Sequence, residues 1–331
     1  ERPRLDEITQ GMKVREKPPE LVLAGFSCTP FHLTPTWMGR EMNIQKRLYP
    51  GYFLTGALVL YIFLYVAPSL AGIYFSFTDW SRFDDSMRFI GLENYKTIFS
   101  ADEDYLLFIW NTLKFTVVTS VLKTVFGLAL ALLLAGNLWG RNIHRAIVFL
   151  PSVLSFLITG LTFQSILKPS GLLNSMLRAV GLDNWTRHWL FEGDWPFWSV
   201  SGIDVWKGVG YIMTIFLAGL TTIPKDYYEA AEIDGAKFWG KFRHVTVPLL
   251  MPAFAVTTVL NMVYGLRVFD IIYVTTKGGP GNQTEVLYTV IFKLFGYGYY
   301  GVGTALSSLM FVVMSVLGYF IIKLLNREVE A

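Results

Sequence analysis

Six long runs of the chain are almost free of charge, and few folds can accommodate that. They are approximately Tyr52–Phe77, Phe115–Leu138, Ala146–Leu167, Val205–Ile223, Val247–Leu266 and Gly303–Leu325. A hydrocarbon layer of about 30 Å is crossed by roughly 20 apolar residues in a helix. A spanning backbone must satisfy its polar groups internally, so runs of this length imply helices. Of the 331 residues 53% are hydrophobic and only 16% charged, and the apolar ones are gathered into runs instead of being spaced as in a soluble core. The fold class expected is all-α, a polytopic membrane bundle of six transmembrane helices in the lipid bilayer.

Several other classes are excluded at this level. Ser69-Leu70-Ala71 faintly resembles a signal-peptide cleavage site, but the run before it is too long for the apolar region of such a peptide. Cys28 is the only cysteine, which removes intramolecular disulfides and thiolate metal centres. The formal charge of +3 is too small to suggest nucleic acid. No clustered His/carboxylate set and no nucleophile with a plausible base appears, so an enzyme reading fares worst.

The basic residues of the short loops predict an orientation. Arg40, Lys46 and Arg47, then Arg141 and Arg145, then Lys225, Lys237, Lys241 and Arg243, then Lys323 and Arg327 all fall on one side. The opposite loops are acidic or neutral, with Asp79, Asp84, Asp85, Glu93, Asp102, Glu103 and Asp104 in the first and a Trp-rich stretch, Trp185–Trp198, in the third. Both termini are therefore expected in the cytoplasm. Residues 1–41, which carry Pro18-Pro19 and no sustained helical period, are read as a poorly ordered tail or an artificial or upstream extension. Residues 42–331 form the transmembrane domain.

One loop is unusually polar for its surroundings, the insert 227-YYEAAEIDGAKFWGKFRHVTVPLLMP-252. Pro224 reads as the first position of a short helix that runs through Asp234 and stops at Gly235. In a second short helix Phe238, Phe242 and Val245 share one face, and Lys237, Lys241 and His244 another. Such an amphipathic pair suits either a groove in a cytosolic partner or lipid headgroups. Gly235 to Lys241 also matches the first seven positions of a P-loop. Phe242 stands where that loop needs a hydroxyl, and a polar helix precedes it where a strand is required.

Glu229-Ala230-Ala231, three residues, Gly235, nine residues, then Val245-Thr246-Val247-Pro248 resembles the EAA loop of permease subunits of binding-protein-dependent ABC importers. The carbohydrate branch, of MalF/UgpA/LacF type, is resembled further by Gly91-Leu92-Glu93-Asn94-Tyr95, by Asn111-Thr112-Leu113-Lys114-Phe115-Thr116, and by an outer loop that ends in Gly278-Gly279-Pro280. The likeness runs from about Leu48 to Leu325.

The resemblance implies the type I importer permease fold in a bacterial or archaeal inner membrane, with a cytoplasmic EAA loop at 224–248. It implies one half of a permease heterodimer, served by a pair of ATPase subunits and an extracytoplasmic solute-binding protein. This chain would bind no cofactor and catalyse nothing, with MgATP held by the partner ATPase. Glu229, Ala230 and Ala231 would dock in that ATPase, with Glu229 as the acidic anchor, Gly235 as the turn, Phe238 and Trp239 as apolar contacts and Pro248 as the rejoining point. Gly278, Gly279 and Pro280 would face the binding protein.

A charge inside a span costs on the order of 2.5–3.5 kcal/mol at the bilayer centre and needs a partner or a purpose. Lys123 sits within the second span, where a structural role, pairing with a neighbouring helix or snorkelling, is favoured over a substrate contact, and Arg267 lies near the outer end of the fifth, within reach of Asp270. Sugar sites combine amides with aromatic faces, which singles out Trp206 and Tyr211 with Lys207 on the fourth span, and Asn261, Tyr264 and Arg267 on the fifth. The expected function is ATP-driven import of a sugar or oligosaccharide. The alternatives are a permease of the same superfamily for a polyamine or an oxyanion, or a secondary transporter or channel. The last class is disfavoured by the expected absence of Asp and Glu from the six cores.

Overall fold

The computed structural model describes residues 52–100, 104–136 and 138–329. The tail expected over 1–41 and its boundary lie outside the described residues. The chain divides into two compact units, Glu1–Tyr61 and Ile62–Ala331. In the first, the described residues form α1 (Tyr52–Tyr61). The second opens with a π-helical turn, Ile62–Val66, and continues as α2 (Ala67–Phe75) and α3 (Glu93–Phe99).

Four stretches are long and apolar enough to cross a membrane: Leu54–Phe75, Tyr105–Ala135, Trp195–Thr222 and Tyr300–Phe320. The second is helix α4 (Tyr105–Ala135), which begins ten residues before the run read from the sequence. Its early turns look polar, yet the Thr112, Thr116 and Thr119 hydroxyls donate to the carbonyls of Phe108, Thr112 and Phe115, four residues back, at 2.7, 2.7 and 2.9 Å. A hydroxyl satisfied within its own helix is far cheaper to bury than hydropathy suggests.

The third expected span is broken. Helix α5 (Arg141–Val153) ends after Pro151, and α6 (Phe156–Leu167) resumes after Ser155, followed by α7 (Leu172–Ala179). The segments Arg141–Val153 and Phe156–Ala179 meet at 96°. Pro151 offers no N–H to the ladder, and Leu154 and Ser155 take extended backbone angles, which together end one helix and start another. A uniform apolar run hides such a joint.

Helix α8 (Trp195–Thr222) is continuous and begins ten residues before the expected Val205. Beyond it lie α9 (Lys225–Ile233), α10 (Phe238–Lys241), a π-helical turn Phe242–Thr246 and the short α11 (Val247–Leu249). Helix α12 (Met251–Leu266) completes the fifth expected span, but its axis is bent 67° from the segment Phe238–Leu249. Pro252 at the start of α12 fits a fresh helical start. Then come α13 (Asp270–Thr275), α14 (Leu287–Tyr297) and α15 (Tyr300–Val329).

Helix α8 packs most extensively on α4, with α5 and α12 also against it. Ile212, Met213 and Phe216 of α8 bury against Ala131, Leu134 and Leu250 at the end nearest the polar insert. Phe197, Val200 and Ile203 bury with Phe115, Ile271 and Ile272 at the other end. Between these two cores the same helix meets α4, α5, α6 and α12 around an open space.

Candidate functional site

That space is a cavity of about 350 Å³, lined by Lys123 of α4, Phe149 and Ser152 of α5, Phe156 of α6, Asp204, Lys207, Gly208, Tyr211 and Ile212 of α8, and Leu260, Asn261 and Tyr264 of α12. Of the sugar-site candidates, Tyr211, Asn261 and Tyr264 converge here, with Lys207 beside them. Trp206 does not line the space. It faces Phe163 edge to ring at 5.1 Å, because its position on α8 is rotated away from the axis of the cavity. Arg267 also stands apart, exposed just beyond the end of α12, and no ion pair joins it to Asp270 among the described residues.

The polar floor of the cavity is a buried network. Lys123 Nζ lies 2.6 Å from Asp204 Oδ2, with side-chain exposures of 5% and 1%. The Tyr264 hydroxyl donates to Asp204 Oδ1 at 2.7 Å. Lys123 Nζ also sits 4.3 Å from the centroid of the Tyr264 ring, a cation–π contact that shares the charge with the aromatic face. Three helices, α4, α8 and α12, are thereby tied through one carboxylate. Gly208 makes room, since a Cβ there would stand 2.8 Å from Lys123 Cε.

A second cation is held across the broken span. Lys207 Nζ donates to the Ser152 carbonyl at 3.2 Å, and Ser152 Oγ donates to the Lys207 carbonyl at 2.9 Å. The Ser152 carbonyl belongs to the last turn of α5, where no intrahelical partner follows the break, so the ammonium caps a carbonyl that lipid could not. Lys207 Nζ lies 4.0 Å from the centroid of Phe156, which stacks on Tyr264 at 5.8 Å. Asn261 is 5% exposed, and its Nδ2 is buried with no hydrogen-bond acceptor.

Asp204 overturns the expectation that the span cores hold no acid. The apolar run begins at Val205, whereas the helix begins at Trp195 and carries Asp204 into its interior. Two signals in the sequence point to it. Lys123 within a span requires a counter-ion, and Asp204, Lys207 and Tyr211 at i, i+3 and i+7 share one helical face.

The polar insert forms the expected pair of short helices. Gly235, at φ +79°, ends the first turn-back, with the Ala236 N–H donating to the Ala231 carbonyl at 2.8 Å in a Schellman-type closure. Pro224 stands just before α9 instead of within it. Lys241 Nζ meets Glu232 Oε1 at 2.6 Å, and Tyr228 OH lies 3.2 Å from Thr246 Oγ1, which links the two short helices to the return segment. Phe238 stacks near Phe242 at 6.4 Å and Trp239 near Phe242 at 5.2 Å. Ile233, Phe238 and Trp239 remain 87%, 71% and 65% exposed, and Glu229, Ala230 and Pro248 are exposed beside them while Ala231 is half-buried.

The loop bearing Gly278, Gly279 and Pro280 is internally braced. Thr284 donates its N–H to the Gly278 carbonyl and its hydroxyl to that of Gly279, and Asn111 Nδ2 donates to the carbonyls of Asn282 and Glu285. The carboxylate of Glu285, 2% exposed, is paired with Lys293 and occupies the space that a Cβ on Gly278 would need. Glu285 lies in the loop between α13 and α14 and Lys293 within α14, both outside the six apolar runs, so hydropathy does not single them out.

Residues 123–331 match the family described as the binding-protein-dependent transport system inner membrane component. The trehalose/maltose transport system permease protein MalF of Thermococcus litoralis is 36% identical over 277 residues, covering 83% of this chain and 92% of that protein. The probable starch degradation products transport system permease protein AmyD of Thermoanaerobacterium thermosulfurigenes is 33% identical, covering 84% and 94%. A crystal structure of a bacterial ABC transporter involved in import of the acidic polysaccharide alginate contains a chain that aligns with a TM-score of 0.74 at 25% identity, covering 88% of this chain and 99% of that one.

Proposed function

Because the chain belongs to the inner-membrane components of binding-protein-dependent transport systems, we propose that it is the permease for a sugar or oligosaccharide, which crosses through the cavity between α4, α8 and α12. The relatives named for trehalose, maltose and starch products support a saccharide. The observation that carries the reading is the cavity itself, in which the exposed Tyr211 ring stands with the Asn261 amide on a wall completed by Tyr264 and Phe156. Saccharides present apolar ring faces and a rim of hydroxyls, and that pairing of surfaces answers both.

The permease is one half of a heterodimer and performs no catalysis. The insert is its cytoplasmic contact with an ATPase pair that holds MgATP, and both termini lie on the same side. Ile233, Phe238 and Trp239 are apolar side chains exposed on a loop between spans, and an aromatic patch of this kind suits a partner's cleft. Glu229 supplies the acidic anchor, Gly235 the turn, and Pro248 the return to the bilayer. On the opposite face Gly278, Gly279 and Pro280 meet the solute-binding protein.

Uptake and ATP hydrolysis by the complete complex in proteoliposomes, driven by binding proteins loaded with maltose, trehalose, maltotriose or an alginate oligosaccharide, test the reading. At least one saccharide should stimulate both activities, and Glu229→Lys should abolish uptake while the protein still inserts. Stimulation by a polyamine or an oxyanion alone, or full transport by the Glu229→Lys complex, would overturn it.

A further inference from the structure

Beneath this saccharide reading of the cavity, on which the inference rests, we propose that Asp204 is a positioning residue: backed by Lys123, it fixes the polarity of the Tyr264 hydroxyl so that the cavity recognises a hydroxyl group of the sugar. A phenol has one proton to donate. Asp204 stands 2.6 Å from an ammonium and accepts only, so the Tyr264 proton is committed to Oδ1 at 2.7 Å. What Tyr264 offers the cavity is then a lone pair. Turning the proton elsewhere would leave a buried carboxylate oxygen unmet, which is costly.

One turn away on the same helix face is the complementary group. Asn261 precedes Tyr264 by three residues, and its buried Nδ2 donates to nothing in the protein. An acceptor of fixed sign on Tyr264 and an uncommitted amide donor on Asn261 beside it suit a ligand atom that both donates and accepts. A hydroxyl does so. A carboxylate or phosphate oxygen has no proton to give Tyr264, and an ammonium has no lone pair for Asn261. Neither Asp204 nor Lys123 needs to touch the sugar for this to operate.

The experiment measures uptake of maltose, trehalose and each of their monodeoxyfluoro derivatives by the complete complex in proteoliposomes. Fluorine in place of hydroxyl keeps size and a weak acceptor but removes the proton. In the native complex KM should rise about tenfold for the derivative that lacks the recognised hydroxyl, the effect of one hydrogen bond left unmade in a dry site. In Asp204→Asn, whose amide can donate to the phenol and free its proton, the KM ratio between sugar and derivative should fall to near unity, while Asp204→Glu preserves it. The double variant Lys123→Met/Asp204→Leu, which removes both charges together, should also lose the discrimination and serves where Asp204→Asn does not fold. A native complex indifferent to every fluorinated position, or variants that discriminate as the native complex does, would refute the role of Asp204 while leaving the saccharide reading intact. Where maltotriose is the sugar imported, the same comparison is made with its monodeoxyfluoro derivatives, and failure to import any saccharide would overturn the inference together with that reading.

Discussion

Lys123 and Asp204 illustrate how unequal the two ways of removing a buried pair are. Lys123→Met leaves the carboxylate of Asp204 in the interior without its counter-ion, and about 3–5 kcal/mol of stability should be lost. Lys123→Met/Asp204→Leu removes the charge and the desolvation together and should recover most of that loss. Denaturant unfolding in detergent reads both, and a double variant no more stable than the single one would show that the pair is not the unit. Gly208→Val should resemble the first variant, since the new side chain takes the space in which the Lys123 stem lies. At the braced outer loop, Gly278→Ala meets two obstacles, φ of +90° and the Glu285 carboxylate in the place of its Cβ. A loss of about 2 kcal/mol or more is expected, seen as a lower midpoint in thermal unfolding.

At the scale of elements, the insert shows what a sequence pattern does and does not determine. Gly235 adopts the left-handed conformation that its place after a helical stretch predicted, because no other residue closes that turn cheaply. Gly235→Val should raise the energy of the turn by about 1–2 kcal/mol and reorient α9 against α10. Uptake should fall sharply with the amount of inserted protein unchanged, as judged by transport assays beside membrane fractionation, and unimpaired uptake would argue that the angle between the two helices is immaterial. The apolar helical runs were legible for the same reason, four of them as continuous stretches and two as bent pairs, since long apolar runs leave helices as the solution for lone segments. Their ends and joints were not. Asn111 and Thr112 lie before the apolar run that starts at Phe115 yet inside α4, and the joint at Leu154 and Ser155 falls within an apolar run. Tyr211, Asn261 and Tyr264 could be singled out as aromatic and amide groups within spans. Trp206 has the same chemistry but points toward Phe163, and helical phase, not residue type, decides which of them meet.

For the whole molecule the decisive expectation is sidedness. The basic loops put the insert in the cytoplasm and the Trp-rich third loop outside. Cys28 is the sole cysteine of the chain, so replacing it by Ser provides a background for single-cysteine probes. Phe238 and Trp198 are both well exposed, at 71% and 51%. In right-side-out vesicles a membrane-impermeant maleimide should label Trp198→Cys and spare Phe238→Cys, and in inverted vesicles the preference should reverse. Labelling of both from one face would contradict the proposed topology and the ATPase contact with it.

Helix α8 joins these two worlds without interruption. Asp204 and Thr222 are separated by 18 residues, about 27 Å of helix. If the end near Thr222 is the fulcrum, a tilt of roughly 5° swings Asp204 sideways by about 2 Å, comparable to the whole reach of a short ion pair. A stiff rod of this kind would make the proposed saccharide cavity answerable to small angular displacements far below it, with no intermediate relay of side chains required.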